Sequence, residues 1–508
     1  MPTARSWTEP LTELGRSAHD VGTLARFRLA GLRGRARYAS PVALAVLGLI
    51  TVVTVVVPAL LPEQELGRSD VRSLLPDGLL SLLVVSVLSA AASGGGREVL
   101  PREQAVAYPV SPTTDHLGAL LMAPLNIAWL LQAWSLTAAV SYGVAGSALL
   151  PGLVVVLLWL LAATCLAQAV GWGVEWVRRG RYGVLAVRSA TGVVAVVVAA
   201  LVATRRLPSV LAHNPTLYVA AAVGERPTGR WLATVAVLLV LVVASLVVGA
   251  WAAGRVTVRP AREELRTETA SRPARPNPAS DLAAMMRVDR AGIWRSVPMR
   301  RGMTVLSLFP GLVAVAGAMH WDSLAVLPGL VASGGALLFG VNSWCLDGRG
   351  ALWRDSLPVA PRAVFTSRVL VLLEILLVST ALTMLVASLR AGVPTPTQLV
   401  VVLCAAVVVT VQVVATALRW SVRRPHAVNL RSARATPAPP LAMVGYSARL
   451  AVSTTVTALV LEASATTWWL PLLVALPFLA WSTGKLLLTA SAWSDPPTRS
   501  RVVAVVAS

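Results

Sequence analysis

The sequence predicts an all-α, polytopic membrane protein of about 12 transmembrane helices, arranged as two pseudo-repeated six-helix halves. First, 56% of the residues are hydrophobic and 13% are charged, whereas soluble domains carry roughly 25% charged residues. Second, apolar runs of about 20 residues, enough to cross a bilayer, recur between residues 41 and 490. These runs lack the two-residue alternation of barrel strands, so we expect helices. Third, a short proline-containing element occurs twice, 249 positions apart.

The first half is expected to span residues 41–253, after a cytoplasmic lead-in at 1–40 with a short amphipathic piece near 21–32. Its six apolar spans are 41–61, 74–93, 117–143, 150–176, 184–203 and 231–253. The segment 97–116 is too polar to span, and its prolines bracket a piece of about two helical turns. We therefore expect a short cytoplasmic helix lying along the membrane there. The segment 204–230 is placed outside and carries an apolar piece too short to cross.

The second half is expected to span residues 303–490. An Arg- and Pro-rich stretch, 254–302, is interpreted as a cytoplasmic linker with an amphipathic end, and 491–508 as a cytoplasmic tail. The six spans of this half are 303–319, 325–345, 365–389, 397–418, 446–464 and 470–490. Twelve spans place both termini on the same side of the cell membrane. We expect that side to be the cytoplasm, because most of the 44 basic residues then lie on the cytoplasmic side.

The net charge of +21 does not indicate nucleic-acid binding, because the arginines lie between apolar spans and form no single basic domain. Such a distribution is typical of cytoplasmic loops that follow the positive-inside rule. The three cysteines lie in or at the ends of apolar spans and have no C-x-x-C spacing, so neither a zinc site nor a disulfide framework is expected.

The repeated element reads AYPVSP at 107–112 and SLPVAP at 356–361. In both halves it follows the second span and precedes the third. The two copies therefore fall on the same predicted side of the membrane, where one partner with two docking sites would meet both. The copies differ, because Gly350 stands where the first copy has Pro101.

A few polar residues lie inside predicted spans. Glu374 is about ten residues into the span 365–389, where a carboxylate is costly. Two interpretations stay open for it: a coupling or substrate-contact group, or a structural carboxyl paired between helices. Asn126 and Gln132 are expected to hydrogen-bond between helices. Lys485 is expected to extend its ammonium to the interface.

No enzyme signature is present in the sequence. The chain lacks a G-x-x-x-x-G-K-[ST] phosphate loop, an H-E-x-x-H helix and a G-x-S-x-G elbow. No polar loop gathers carboxylates and histidines in a catalytic pattern. We therefore expect no catalytic residue and no cofactor in this chain.

The segments REVLPREQAVAYPVSP at 97–112 and DGRGALWRDSLPVAP at 347–361 resemble the coupling segment of the permease subunits of type-2 ATP-binding-cassette exporters. The resemblance implies that each half is one six-helix permease and that a separate ATPase, as a dimer, docks on both elements and supplies the energy of ATP. It also likens 204–230 to re-entrant extracellular helices, although the matching segment near 462–469 is much shorter. The coupling residues that it implies are Pro109, Val110, Ser111, Pro112, Pro358, Val359, Ala360, Pro361, Arg102 and Arg354.

For Arg102 and Arg354, pairing with acids of the ATPase and plain anchoring at the membrane interface both stay open. The leading hypothesis is a permease component that exports an unknown substrate and contacts membrane lipid and the ATPase but no nucleic acid. The alternatives are a proton-coupled secondary transporter that uses Glu374, and a non-transporting membrane scaffold. Drug, lipid, peptide and polysaccharide all stay open as substrates.

Overall fold

The chain folds into two compact units, Met1–Ala270 and Ser271–Ser508. The computed structural model describes residues 9–30, 35–60, 67–93, 110–125, 127–144, 146–204, 206, 209–210, 213–259, 276, 278–317, 319–427, 438 and 440–507. Throughout these ranges the regular structure is helical and no strand occurs.

The first unit contains nine α-helices within the described ranges. They are α1 (Glu9–Ala30), α2 (Arg35–Leu60), α3 (Arg68–Ser93), α4 (Pro112–Met122), α5 (Ile127–Gly143), α6 (Leu149–Arg178), α7 (Gly183–Ala203), α8 (Thr216–Val223) and α9 (Gly229–Thr257). Short 3-10 turns at Ala123–Leu125 and Gly146–Ala148 precede α5 and α6.

The second unit contains ten α-helices within its described part. They are α10 (Asp281–Arg295), α11 (Val297–Ala316), α12 (Trp321–Leu324), α13 (Leu327–Leu338), α14 (Gly350–Asp355), α15 (Pro361–Ala391), α16 (Pro396–Arg423), α17 (Pro440–Ala463), α18 (Leu470–Ser494) and α19 (Pro496–Ala507). A 3-10 turn, Gly340–Asn342, follows α13.

The described residues include seven helical segments long and apolar enough to cross a membrane. They are Val71–Ala91, Gly146–Arg178, Gly229–Thr257, Trp321–Asn342, Pro361–Ala391, Pro396–Arg423 and Leu470–Ser494. Three shorter apolar helices accompany them, at Leu47–Leu60, Gly183–Val198 and Val452–Ala463. Many large apolar side chains on these helices are exposed, including Leu476 and Leu487. Such a surface is stable in lipid and not in water, so the protein is an all-α, polytopic membrane protein. The number of 12 spans stays a prediction.

Several elements differ in detail from the sequence-based expectation. The third predicted span is two helices, α4 and α5, separated by the turn Ala123–Leu125. Pro124 accounts for the break, because its ring prevents a regular helical hydrogen bond there. The end of the presumed linker is the helix α10, which packs against α15, and the presumed tail contains the packed helix α19.

The two units share an order of helix pairing. In the first unit, α6 lies between α3 and α9, and α2 packs against α5. In the second unit, α16 packs against α13 and α18, and α11 packs against α15. When the helices are numbered by the predicted spans to which they correspond, the fourth span packs against the second and the sixth in both units. The first span packs against the third in both units.

Close contact of α6 and α3 depends on Gly171. A Cβ atom at this position would lie 2.9 Å from the carbonyl oxygen of Ala90 and 3.0 Å from its Cβ. Small residues at such crossings let helix backbones approach in a membrane, where dispersion contacts hold helices together.

We expect Gly171→Ala to lower the thermal stability of the purified protein in detergent, because overpacking costs about 1–3 kcal/mol. Gly173 is the matched control on the same helix, since a Cβ there meets no atom within 4 Å. Gly173→Ala should leave stability unchanged or raise it slightly, because alanine favours helix by roughly 1 kcal/mol. Equal melting temperatures for the two variants would contradict this packing.

Candidate functional site

The second proline element forms a short exposed corner between two helices of the second unit. The helix α14 ends at Asp355, and α15 begins at Pro361, the favourable first position for proline in a helix. Pro358 and Ala360 between them are exposed, and Val359 is half-buried. Leu352 and Trp353 on α14 are also exposed. The corner therefore presents a compact, largely apolar surface.

Two arginines and two aspartates lie buried beneath this corner, and we call Asp289, Asp347, Arg354 and Arg368 the ionic cluster. Arg354 Nη1 lies 2.7 Å from Asp289 Oδ1 and 3.0 Å from Asp347 Oδ1. Arg368 Nη2 lies 3.0 Å from Asp289 Oδ1 and 2.8 Å from Asp347 Oδ2. Each carboxylate thus contacts both guanidinium groups, and the four charges sum to zero.

Further hydrogen bonds connect the same groups to their surroundings. Ser367 donates its hydroxyl to Asp289 Oδ2 at 2.9 Å, and Arg368 Nη1 donates to the carbonyl of Ser343 at 2.7 Å. Burial by itself raises the pKa of Asp289, but the charges of Arg368 and Arg354 and the hydrogen bonds from Arg354 and Ser367 together lower it below its ordinary value. The cluster is therefore ionised and internally neutral near pH 7.

An aromatic stack extends the cluster to the end of the chain. The Arg368 guanidinium lies 4.9 Å from the ring centre of Trp344, which stacks on Trp493 at 4.0 Å between centroids. The helix α19 follows directly, and Arg499 Nε binds Asp355 Oδ1 at 2.9 Å. Val503 of α19 lines, together with Val359, a cleft of about 510 Å³. The proline corner is thus attached to the last apolar helix and to α19.

The first proline element has a different support. Ser111 caps α4: its hydroxyl accepts a hydrogen bond from the Thr114 amide at 3.0 Å. The same hydroxyl lies 3.3 Å from the Ser17 hydroxyl of α1. Pro112 is the first residue of α4, and Val110 is half-buried. These two contacts join hydroxyl and backbone amide groups.

The register of the repeat explains the difference between the two copies. A shift of 249 positions places Ala105 at the position of Arg354 and Ala119 at that of Arg368. The same shift places Gly118 at the position of Ser367. Because both guanidinium groups are replaced by methyl groups, the first half has no counterpart of the ionic cluster at these positions.

The sequence-predicted site residues have separate positions. Arg354 is 6% exposed and paired with two carboxylates, so its guanidinium lies inside the ionic cluster and not on the exposed corner; its role in docking stays a prediction. Glu374 is exposed and pairs with Arg290 of α10 at 2.6 Å. Gln132 is half-buried on α5. Pro109, Arg102 and Asn126 lie outside the described residues.

Sequence analysis predicted an amphipathic piece before each half but not that it packs against the helix of the proline element. The helix α1 packs on α4, and α10 packs on α15, so an amphipathic helix contacts the start of the third predicted span in both units. A sequence signal for this was present: Asp20-x5-Arg26-x3-Ala30-Gly31 recurs as Asp281-x5-Arg287-x3-Ala291-Gly292. This second repeat has an offset of 261 positions, so a search at the offset of the proline element does not find it.

Metal and redox chemistry have no visible site in the described part of the chain. No group of three or more His, Cys, Asp or Glu side chains there is arranged to hold a metal ion. The three cysteines are buried and unpaired, and burial raises the pKa of the Cys345 thiol to about 12.

The ionic cluster predicts a dependence of stability on acid pH. Because the pKa of Asp289 is lower in the folded protein than in the unfolded chain, where it is about 3.9, its stabilising contribution is complete above that value. The contribution is lost as the pH falls through the folded pKa. Between pH 6 and pH 3, the free energy of unfolding should therefore decrease more steeply in the wild type than in Asp289→Asn.

The matched control for this measurement is Asp281→Asn, because Asp281 is exposed at the start of the same helix. Unfolding in detergent at a series of pH values should give parallel profiles for this control and the wild type. A parallel profile for Asp289→Asn as well would show that the cluster does not stabilise the fold through the ionised Asp289.

No protein-family model, curated protein or solved structure matches this chain. In the second unit the proline element consists of an exposed corner, the buried ionic cluster below it and the long apolar helix α15 that begins at the corner.

Proposed function

We propose that the chain is the transmembrane permease component of an ATP-binding-cassette exporter. A separate ATPase, acting as a dimer, binds the two proline elements and supplies the energy of ATP hydrolysis. The substrate crosses the cytoplasmic membrane through the helical units, and this chain itself performs no catalysis.

The observation that carries the proposal is that buried ion pairs attach an exposed corner to a helix long enough to cross the membrane. Pro361 is the first residue of the 31-residue helix α15, and Arg368 lies two turns further along it. Because the ionic cluster joins Arg368 to Arg354 of α14 through shared carboxylates, a push on Pro358 or Ala360 displaces α15 as a body. Short rigid elements of this kind are suited to transmitting a movement between a soluble motor and a membrane helix.

The shared pairing order of the two units supports the same proposal. Both units place an amphipathic helix against the start of the third predicted span, directly beside the proline element. Two corresponding attachment points on one chain match a motor with two corresponding faces, which is what an ATPase dimer provides. The two subunits of a dimer would each bind one element, both from the same side of the membrane.

The two docking points are proposed to differ in strength. Four buried charges add more resistance to displacement than a hydroxyl contact such as Ser17–Ser111, because breaking a buried ion pair costs roughly 3–5 kcal/mol and a neutral hydrogen bond about 1 kcal/mol. The second element should therefore contribute more of the ATPase affinity.

The proton-coupled alternative depends on Glu374. Its pairing with Arg290 favours a structural role, in which Glu374 attaches α10 to α15 beside the ionic cluster. The scaffold alternative predicts no transport at all and no ATPase bound to the chain.

The test is recovery of an ATPase, recognised by its G-x-x-x-x-G-K-[ST] phosphate loop, with the tagged full chain from native membranes. We expect Pro358→Ser to lose most of the ATPase and Pro109→Ser to lose less. Pro394→Ser is the matched control, because Pro394 lies beyond the opposite end of α15.

Recovery that is equal in all three variants would contradict docking at the proline elements. Recovery of no phosphate-loop protein with the wild-type chain would contradict the exporter proposal itself. In that case, loss of proton-dependent transport in Glu374→Gln would favour the secondary transporter.

A further inference from the structure

Five cationic side chains line one pocket of the second unit, at the end of α16 that carries its arginines. The pocket lies among α16, α17 and α18 and has a volume of about 520 Å³. Its lining residues are Thr416, Arg419, Trp420, Arg423, Arg424, Arg449 and Lys485. We call it the cationic pocket.

The cationic pocket contains no compensating acid. None of the ion pairs found among the described residues involves any of its five cations. Arg419 and Arg449 line the same pocket as Lys485. Like charges gathered in one pocket repel one another, and the repulsion grows where water is partly excluded. An anion bound in the pocket would remove this repulsion.

This arrangement contrasts with the ionic cluster of the same unit, where two arginines meet two aspartates. Lys485 lies one turn after Trp481 on α18, with its ammonium 5.4 Å from the ring centre, and Arg424 lies 4.5 Å from the ring centre of Trp420. Stacking on an indole ring holds a cation in place but does not neutralise its charge. Lys485 and Arg424 are therefore held in place by the fold, and none of the five charges is neutralised by an ion pair within the described part of the chain.

One edge of the cationic pocket continues onto a surface that faces lipid. Trp481, Lys485 and Leu488 follow one face of α18, at intervals of four and three residues. The exposed fractions of Trp481 and Leu488 are 68% and 66%. A ligand with an anionic head at Lys485 would therefore have an apolar path beside it for a hydrocarbon chain. Free phosphate would use the pocket but not this path.

We propose that the cationic pocket binds the phosphate of an anionic phospholipid headgroup, with the acyl chain along Trp481 and Leu488. Basic pockets between membrane helices at the cytoplasmic surface are suited to such headgroups, and the positive-inside rule places this arginine-rich end of α16 on that side. The site is independent of ATPase docking, because neither proline element contributes to its lining. The interfacial position expected for Lys485 thereby becomes that of a specific ligand contact.

The experiment uses the fact that Lys485 is the only lysine of the chain. The purified full chain in an uncharged detergent is treated with an amine-acylating reagent, and modification of Lys485 is followed by mass spectrometry. The probes are phosphatidylglycerol, phosphatidylcholine and inorganic phosphate. We expect phosphatidylglycerol to protect Lys485 severalfold and phosphatidylcholine not to protect it.

Two variants separate site binding from a general effect of charged micelles. Arg449 is exposed, so Arg449→Gln is expected to fold, which a thermal-unfolding measurement verifies. Losing one such cation should raise the phosphatidylglycerol concentration for half-protection about fivefold. Arg188→Gln removes the same charge from α7 of the other unit and should leave that concentration unchanged.

The outcomes are distinct. Protection by phosphatidylglycerol alone supports a lipid headgroup, whereas equal protection by inorganic phosphate supports an anion site but overturns the assignment to lipid. Absence of protection by either probe overturns the site. Protection that is identical in the wild type and Arg449→Gln also overturns it, because the effect would then come from the micelle surface.

Discussion

The buried contact of Asp289 and Asp347 with Arg354 and Arg368 is the interaction on which the rest of the second unit depends. It connects four elements: α10, the turn that carries Asp347, the helix α14 and the helix α15. The cluster residues on these elements are up to 79 positions apart in sequence. Removing four charges from water costs several kcal/mol per ion. That cost is offset here because every carboxylate contacts both guanidinium groups and because Ser367 and the Ser343 carbonyl supply further hydrogen bonds. Loss of any one member leaves the others buried with an unbalanced charge.

This constraint gives the exposed proline corner its mechanical character. Without the cluster, α14 is a six-residue helix, too short to be stable by itself. With it, the corner is fixed below by Arg354 and at the side by the Arg499–Asp355 pair of α19. The first unit reaches a similar arrangement of helices with alanine at both arginine positions. The two units thus share an order of helix pairing but support their proline elements differently. In the proposed function, this difference gives the two elements different affinities for the ATPase.

Hydropathy predicted the helices well, because a span of about 20 apolar residues has no stable alternative in a bilayer. The positions of α6, α9, α15, α16 and α18 agree with predicted spans within a few residues. Pattern reasoning was less successful where a single residue decides the outcome. Pro124 divides one apolar run into α4 and α5, and Arg354 resembles a loop cation until its tertiary partner, Asp289 on another helix, is known. The cationic pocket was equally hidden, because Arg419, Arg449 and Lys485 follow one another at intervals of 30 and 36 positions and meet only after folding.

The central claim is that the ionic cluster holds the proline corner rigid. Backbone amide hydrogen exchange over residues 350–357 measures this directly, in the wild type, in Arg354→Met and in the control Arg362→Met, whose arginine is exposed. Breaking a buried ion pair costs about 3–5 kcal/mol, and a loss of local stability of this size accelerates amide exchange by about two orders of magnitude or more. We therefore expect that acceleration in this segment of Arg354→Met and the wild-type exchange rate in Arg362→Met. Equal exchange in all three proteins would contradict the claim.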